Sequence, residues 1–272
     1  MRILIAGGGG YVGRRIVDAF SDRHDFINLS LHTQLDKAVN NIRVDLTRSL
    51  DFLNLDRPVD LIINCVECHP DSFKNDSEMK KAYLNIIRNL LDYAKRTAVP
   101  RFMHFSVNNI GTVENDYQQA KFVAEGIVEH AGLSHLIFKP SIIFGDKSPL
   151  DRLIEAVMSR GVLPRFWDRQ VKVSPVHISD VLANVGFALE SDTCWNNTYS
   201  LCGPEYMGFE EILLRHAPMK PRFFKAPAFA QRAVLNKTFE NAPPRHLKLL
   251  LDWVSSDNLC LKAPLLRPQV FY

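Results

Sequence analysis

The sequence predicts an α/β protein, a doubly wound parallel sheet carrying a small C-terminal lobe. Three observations support this. An apolar strand, Ile3 to Ala6, runs through Gly7-x-x-Gly10-x-x-Gly13 into a helix-periodic segment. Strand-like and helix-like stretches then alternate as far as a sixth strand, Leu136 to Lys139. Tyr117 and Lys121 stand one helical turn apart between the fifth and sixth strands. With 272 residues, 46% hydrophobic and 23% charged, the chain falls among ordinary globular proteins, which excludes a disordered one.

The glycines lack a Cβ where the turn needs unusual dihedrals, where backbone must approach a pyrophosphate and where helix must pack on strand. The amides opening the helix face phosphates in such a turn. It therefore predicts dinucleotide binding, set against a plain structural turn. Val12, Ile16, Ala19 and Phe20 share one face of the helix, and Phe26 to Leu31 reads as the second strand. Where an NAD site usually places Asp or Glu for the ribose hydroxyls, this chain has Ser30-Leu31-His32-Thr33, with Arg14 and Arg15 just after the glycines. No carboxylate stands there to repel a 2′-phosphate, so the reading favours NADP over NAD.

Ile42 to Val44 is a short third strand ending at Asp45, which is expected beside the adenine, and Leu61 to Cys65 is a fourth. The polar stretch 71–78 reads as a loop. Tyr83 to Thr97 has Leu84, Ile87, Leu91 and Ala94 at helical spacing, and Phe102 to Ser106 is the fifth strand. Right-handed crossovers then place helices on both faces and the ligand crevice at the carboxyl ends of the strands. The helix beginning at Asp116 continues through Val123, Ile127 and Val128. On it the Lys121 ammonium can hold a cofactor ribose and lower the phenol pKa of Tyr117, the general acid or base. Ser106 is a candidate donor to a substrate oxygen, with Asn108 or Asn109 as substitutes. The plainer alternatives are a half-buried packing tyrosine and a serine that only caps backbone groups.

No apolar run approaches the roughly 20 residues of a spanning helix, and Met1 leads straight into a strand, so a soluble cytoplasmic protein is expected. The net charge of +3 divides unevenly: residues 215–272 hold ten Lys or Arg against three Asp or Glu. That basic part, with Phe223, Phe224 and Phe229 among Lys220, Arg222, Lys225 and Arg232, has two functional readings and a structural one. It could wall a crevice for an anionic small molecule or dock on an anionic membrane or partner; otherwise its phenylalanines cover a small core. Nucleic acid is not indicated, since no binding motif accompanies the charge. Cys65-Val-Glu-Cys68-His69 spells a c-type haem attachment sequence, but without an export signal it is rejected. The remaining cysteines, 194, 202 and 260, offer no matching pair for zinc, so no metal is expected and the five read as buried or pocket-lining thiols.

These motifs resemble the short-chain dehydrogenase/reductase superfamily, in its extended and atypical branch of NAD-dependent epimerase/dehydratase-like proteins and relatives of the mitochondrial complex I 39-kDa subunit. The resemblance covers roughly residues 1 to 215. It rests on Gly7 to Gly13, Asp45-Leu46, Tyr83-Leu-Asn85, His104-Phe-Ser106, Tyr117 to Lys121, Lys139-Pro140 to Gly145, Val176 to Val181 and Tyr199 to Pro204. It implies a Rossmann-type NAD(P)-binding domain over 1–145, rejoined by 173–190, with 146–172 and 191–272 forming the substrate lobe. The chain leaves the core near Asp146 as a helix from Leu150 to Arg160. The implied cofactor contacts are Gly7, Gly10, Tyr11, Val12 and Gly13 at the turn, then His32, Asp45 and Leu46. Cys65, Val66, Asn85, Lys121 and Pro140 complete them, with Tyr117, Lys121 and Ser106 as the catalytic group.

Departures accompany the matches. Ser106 is followed by Val107 rather than a second hydroxyl residue, only eleven positions separate it from Tyr117, and Lys139 stands where the family usually has Arg. Two functions stay open. One is an oxidoreductase or epimerase acting on a small carbonyl or nucleotide-sugar-like substrate; the other is a non-catalytic NAD(P)H-binding sensor, assembly or scaffold protein.

Overall fold

Strict alternation along the first strand sets the layers. In the computed structural model, which describes residues 1–35, 39–68, 72–108, 116–151, 162–164, 172–216 and 222–224, β1 spans Arg2–Ala6. Ile3 and Ile5 turn to one face, where they meet Ile16, Val17 and Phe20 of α1 (Tyr11–Phe20) and Val181 and Val185 of α4 (Ile178–Glu190). Leu4 and Ala6 turn to the other, against Tyr83, Ile87 and Leu90 of α2 (Asp76–Arg96) and Ala120 and Ala124 of α3 (Asp116–Glu129). A strand apolar on both faces has to lie between two helical layers.

The sheet is completed by β2 (Asp25–Ser30), β3 (Asn40–Arg43), β4 (Leu61–Asn64), β5 (Arg101–Phe105), β6 (Ser134–Pro140) and β11 (Asn197–Leu201). Its order is β3-β2-β1-β4-β5-β6-β11, and every pairing is parallel. Three two-stranded ladders stand apart: β7 (Ile143–Phe144) with β10 (Val176–His177), β9 (Lys172–Val173) with β12 (Met207–Gly208), and β8 (Val162–Pro164) with β13 (Arg222–Phe224). A fifth helix, α5, spans Phe209–His216.

Several boundaries differ from the sequence reading. Stretch 71–78 is not all loop, because α2 begins at Asp76: Asn75 Oδ1 accepts from the Glu78 amide at 2.8 Å, and Glu78 Oε2 accepts from the Lys74 amide at 2.9 Å. A cap is built from the residue types that also make turns. Part of 191–272, assigned to the lobe, instead supplies β11, whose Leu201 is fully buried on the α1 and α4 face. The boundary moves because β6 would otherwise leave an open edge. The segment 173–177 is two strands broken at Ser174-Pro175. Cys65, Cys68 and Cys194 are free thiols, whereas Cys202 is disulfide-bonded. The helix read over 150–160 and the basic 220–232 stretch lie largely outside the described residues, as does Asn109.

Candidate active site

Backbone hydrogen bonds shape the glycine turn: the Gly7 amide donates to the Leu29 carbonyl at 3.2 Å and the Gly10 amide to the Gly7 carbonyl at 3.0 Å. Gly7 sits at φ +80, and a Cβ there would stand 2.8 Å from the backbone of Cys65 and Val66. A Cβ on Gly13 would strike the Gly7 carbonyl oxygen and lie 2.7 Å from Gly8 Cα. Gly10 is the N-cap of α1 and supplies no side-chain cap, and no acidic residue occupies the first turn. The first amides of α1 therefore remain available to an anion. These residues fit a pyrophosphate. Beside the turn lies a cavity of about 340 Å³ lined by Gly9, Gly10 and Tyr11, the cations Arg14, Arg15 and Lys147, and the carboxylates Asp18 and Asp146. Arg15 is tied down: Nη2 donates to the Asp146 carbonyl at 2.6 Å, and its guanidinium stacks 5.5 Å from the Tyr11 ring centre.

Past the ends of β2 and β3 is a second cavity, of about 190 Å³, lined in part by Ser30, His32, Thr33, Asn41 and Arg43. His32 and Arg43 are exposed. The floor is fixed by Asn28, fully buried in β2, whose Nδ2 donates to Asn41 Oδ1 at 2.9 Å. Asp45 serves its own turn, accepting from the Thr47 hydroxyl at 2.7 Å and its amide at 3.0 Å. The hydroxyl bond holds the Asp45 carboxyl below its ordinary range.

At the ends of β4 and β5 the α2 and α3 layers enclose a polar group. The Lys121 side chain is 2% exposed and its Nζ lies 2.8 Å from Glu67 Oε2, in the segment after β4. The ammonium sits 4.5 Å from the Tyr83 ring centre and 5.6 Å from that of Tyr117, both within cation–π range. Burial opposes the charge on Lys121, but Glu67 and the two phenols outweigh it and hold the ammonium well above its usual pKa. Tyr117 is half-buried. Burial and the Glu67 carboxylate push its phenol upward by more than Lys121 pulls it down. The expected lowering by Lys121 is thus present but overruled. The same burial raises Tyr83 to about 12.

Beneath Lys121 is a fixed polar layer. The Val66 amide donates to Asn64 Oδ1 at 3.1 Å, which orients that side chain so that Nδ2 faces His104 Nδ1, also at 3.1 Å. His104 Nδ1 is then the acceptor and Nε2 carries the hydrogen. The ring is fully buried, and burial, with a smaller push from Lys121, lowers its pKa to about 3. His104 Nε2, Tyr83 Oη and Ser106 Oγ are buried with no hydrogen-bond partner among the described residues.

The sequence matches the NAD dependent epimerase/dehydratase family over residues 3–199. The chain belongs to that family. No curated protein matches it. Among solved structures it is similar to UDP-glucose 4-epimerase of Thermotoga maritima solved with UDP-glucose, at TM-score 0.67 and 14% identity, covering 84% of this chain and 87% of that one. MoeE5 in complex with UDP-glucose and NAD gives TM-score 0.70 at 16% identity, over 84% and 86% of the two chains. DesIV, a dTDP-glucose 4,6-dehydratase from Streptomyces venezuelae with NAD bound, gives 0.67 at 20%, over 83% and 84%. At such identities these likenesses carry the fold.

Within this epimerase/dehydratase framework the expected residues fall at several places. Gly7, Gly10, Tyr11, Val12 and Gly13 form the turn and the start of α1, Cys65 and Val66 pack on it, and His32 lines the second cavity, whereas Asp45 is engaged by Thr47 and Leu46 is buried. Pro140 ends β6, and its carbonyl accepts from the Asn108 amide at 2.9 Å. Tyr117 and Lys121 come together, but Ser106 is 3% exposed and bonds to neither. Asn85 is half-buried on α2, where Tyr83 is the residue that meets Lys121. Sequence reasoning missed Glu67, Tyr83, His104 and Arg43. The Tyr83-Leu-Asn85 and His104-Phe-Ser106 matches pointed at two of them without giving their roles.

Proposed function

We propose that the chain is an NAD(P)-dependent oxidoreductase or epimerase that acts at a carbonyl or carbinol carbon of a small, nucleotide-sugar-like substrate, with NADP preferred. The observation that carries this is the pairing of Tyr117 with a buried, charged Lys121 at the strand ends that also bear the glycine turn. The bound nucleotide supplies or takes the hydride. Lys121 anchors its ribose. As hydride reaches the carbonyl carbon, Tyr117 gives its phenolic proton to the carbonyl oxygen, and in the reverse direction it takes that proton back. A phenol held above its ordinary pKa is neutral, so it begins as the donor. Ser106, with an unused buried hydroxyl, is the candidate second donor to that oxygen. Cytoplasmic location, and a substrate lobe formed by 146–172 and the chain after Leu201, belong to the same reading.

The titration of purified protein with NADPH and NADH, followed by nucleotide fluorescence, tests the first step; no saturable binding of either ends the proposal. Arg43, at the cavity where no carboxylate stands, supports the preference for NADP. Arg43→Ala is expected to weaken NADPH about tenfold or more and leave NADH unchanged, the size of a lost charge-assisted hydrogen bond. An equal effect on both nucleotides, or none, removes the NADP assignment alone.

The second reading is a non-catalytic NAD(P)H-binding sensor, assembly or scaffold protein. The Glu67 contact favours it, since a carboxylate already engages the ammonium that catalysis would use. Adding aldehydes and quinones separately to the NADPH complex, and UDP-glucose separately to the NADP+ and NAD+ complexes, separates the two, because only an enzyme oxidises NADPH with the former faster than buffer does or converts the sugar nucleotide in the latter.

A further inference from the structure

Lys121 and Glu67 differ in how far each is committed to their ion pair. The Lys121 side chain is 2% exposed and that of Glu67 is 52% exposed. Separation therefore strands the cation and costs the carboxylate little, because water awaits it. The segment bearing Glu67 is also joined to the phosphate turn. The Cys65 amide donates to the Ala6 carbonyl at 2.9 Å, and Gly7 has no room for a Cβ against Cys65 and Val66. Whatever settles on the turn thus lies against the backbone that aims Glu67.

We propose that Glu67 is a positioning residue: its carboxylate holds the Lys121 ammonium in the nucleotide-free protein, and the nucleotide has to take that ammonium over. This rests on the proposed role of Lys121 as ribose anchor. Its consequence is ordered assembly of the site. While Glu67 holds Lys121, Tyr117 faces a carboxylate and keeps its proton; once Glu67 swings to solvent, the phenol faces an uncompensated ammonium and can exchange that proton with substrate. The titratable groups facing this pair are Tyr117 on α3, Tyr83 on α2, His104 on β5, and Cys65 and Cys68 on the same segment as Glu67. Of these, His104 stays neutral down to about pH 3 and the Cys68 thiol is pushed up to about 12. Neither supplies a competing charge near neutrality.

Glu67→Gln keeps the side-chain shape and removes the charge. It is expected to bind NADPH or NADH about tenfold more tightly than the parent, the scale of one charge-assisted hydrogen bond no longer competing. Without nucleotide, alkaline phenolate absorbance in Glu67→Gln, corrected with the same variant carrying Tyr117→Phe, should show the Tyr117 component at least one pH unit lower than in the parent. Glu67→Asp, which retains the charge, should stay near the parent in both measurements. Circular dichroism confirms that each variant is folded. Unchanged or weakened nucleotide binding in folded Glu67→Gln overturns the proposal, as does an unmoved phenol titration. If the parent binds neither nucleotide, the proposed function fails separately, and the phenol titration still decides for or against Glu67.

Discussion

Gly13→Ala is expected to destabilise the protein by at least about 3 kcal/mol, the upper end of overpacking costs, and to abolish nucleotide binding. The added Cβ strikes the Gly7 carbonyl oxygen and meets Gly8 Cα at 2.7 Å, and both obstacles are backbone, so no side chain can rotate away. Relief requires the turn to open, and the first amides of α1 then lose their aim. Gly126→Ala provides the control. Gly126 lies within α3 with nothing within 4 Å of the point where a Cβ would stand, and alanine there should stabilise by about 0.5–1 kcal/mol. Urea unfolding of the two variants beside the parent checks both signs. Equal stability of Gly13→Ala and parent would mean that the turn is not close-packed.

Acid should weaken the protein through His104. Its folded pKa, about 3, lies below the ordinary value of 6.5, so the unfolded chain binds the proton first as pH falls. The contribution is complete above pH 6.5 and lost progressively from there down to about 3. At pH 5 the loss is about 2 kcal/mol, at roughly 1.4 kcal/mol per unit. His104→Gln, which cannot take up that proton, should lose about 2 kcal/mol less than the parent between pH 7 and pH 5. Other histidines contribute equally to both chains and cancel. Parallel declines would show that the ring is protonated in the folded state.

What was legible in the sequence follows from where each constraint acts. Gly13 is readable because the Gly7 and Gly8 backbone that excludes its Cβ lies within seven positions, and Gly7 because it stands at φ +80, although the backbone that crowds it comes from distant Cys65 and Val66. Tyr117 and Lys121 are readable because helical spacing alone puts them on one side. Glu67 reaches Lys121 across 54 positions, through a pairing set by β4 and α3, and along the chain it is one more polar residue after a strand. His104 looked like strand interior, and its tautomer depends on an amide oriented by Val66. The start of α2 was hidden for another reason: Asn75 and Glu78 cap it with side chains that equally signal a loop. The effect of Lys121 on Tyr117 had the right sign locally, but no sequence pattern reports the opposing carboxylate.

The position of β11 has a consequence during synthesis. Its partner β6 carries Leu136, Ile137 and Phe138, all fully buried in the finished sheet, and the register pairs them with Asn197, Thr198 and Tyr199. On the ribosome β6 emerges first. Extending the nascent chain from residue 140 to residue 197 takes about 3–11 s at roughly 5–20 residues per second. Throughout that interval the growing sheet presents an apolar parallel edge with unpaired amides and carbonyls, although β1 to β6 and the helix bearing Tyr117 and Lys121 have already been made. The vulnerable stage in the life of this protein therefore falls between the completion of α3 and the arrival of Leu201, and binders of exposed strand edges would act then.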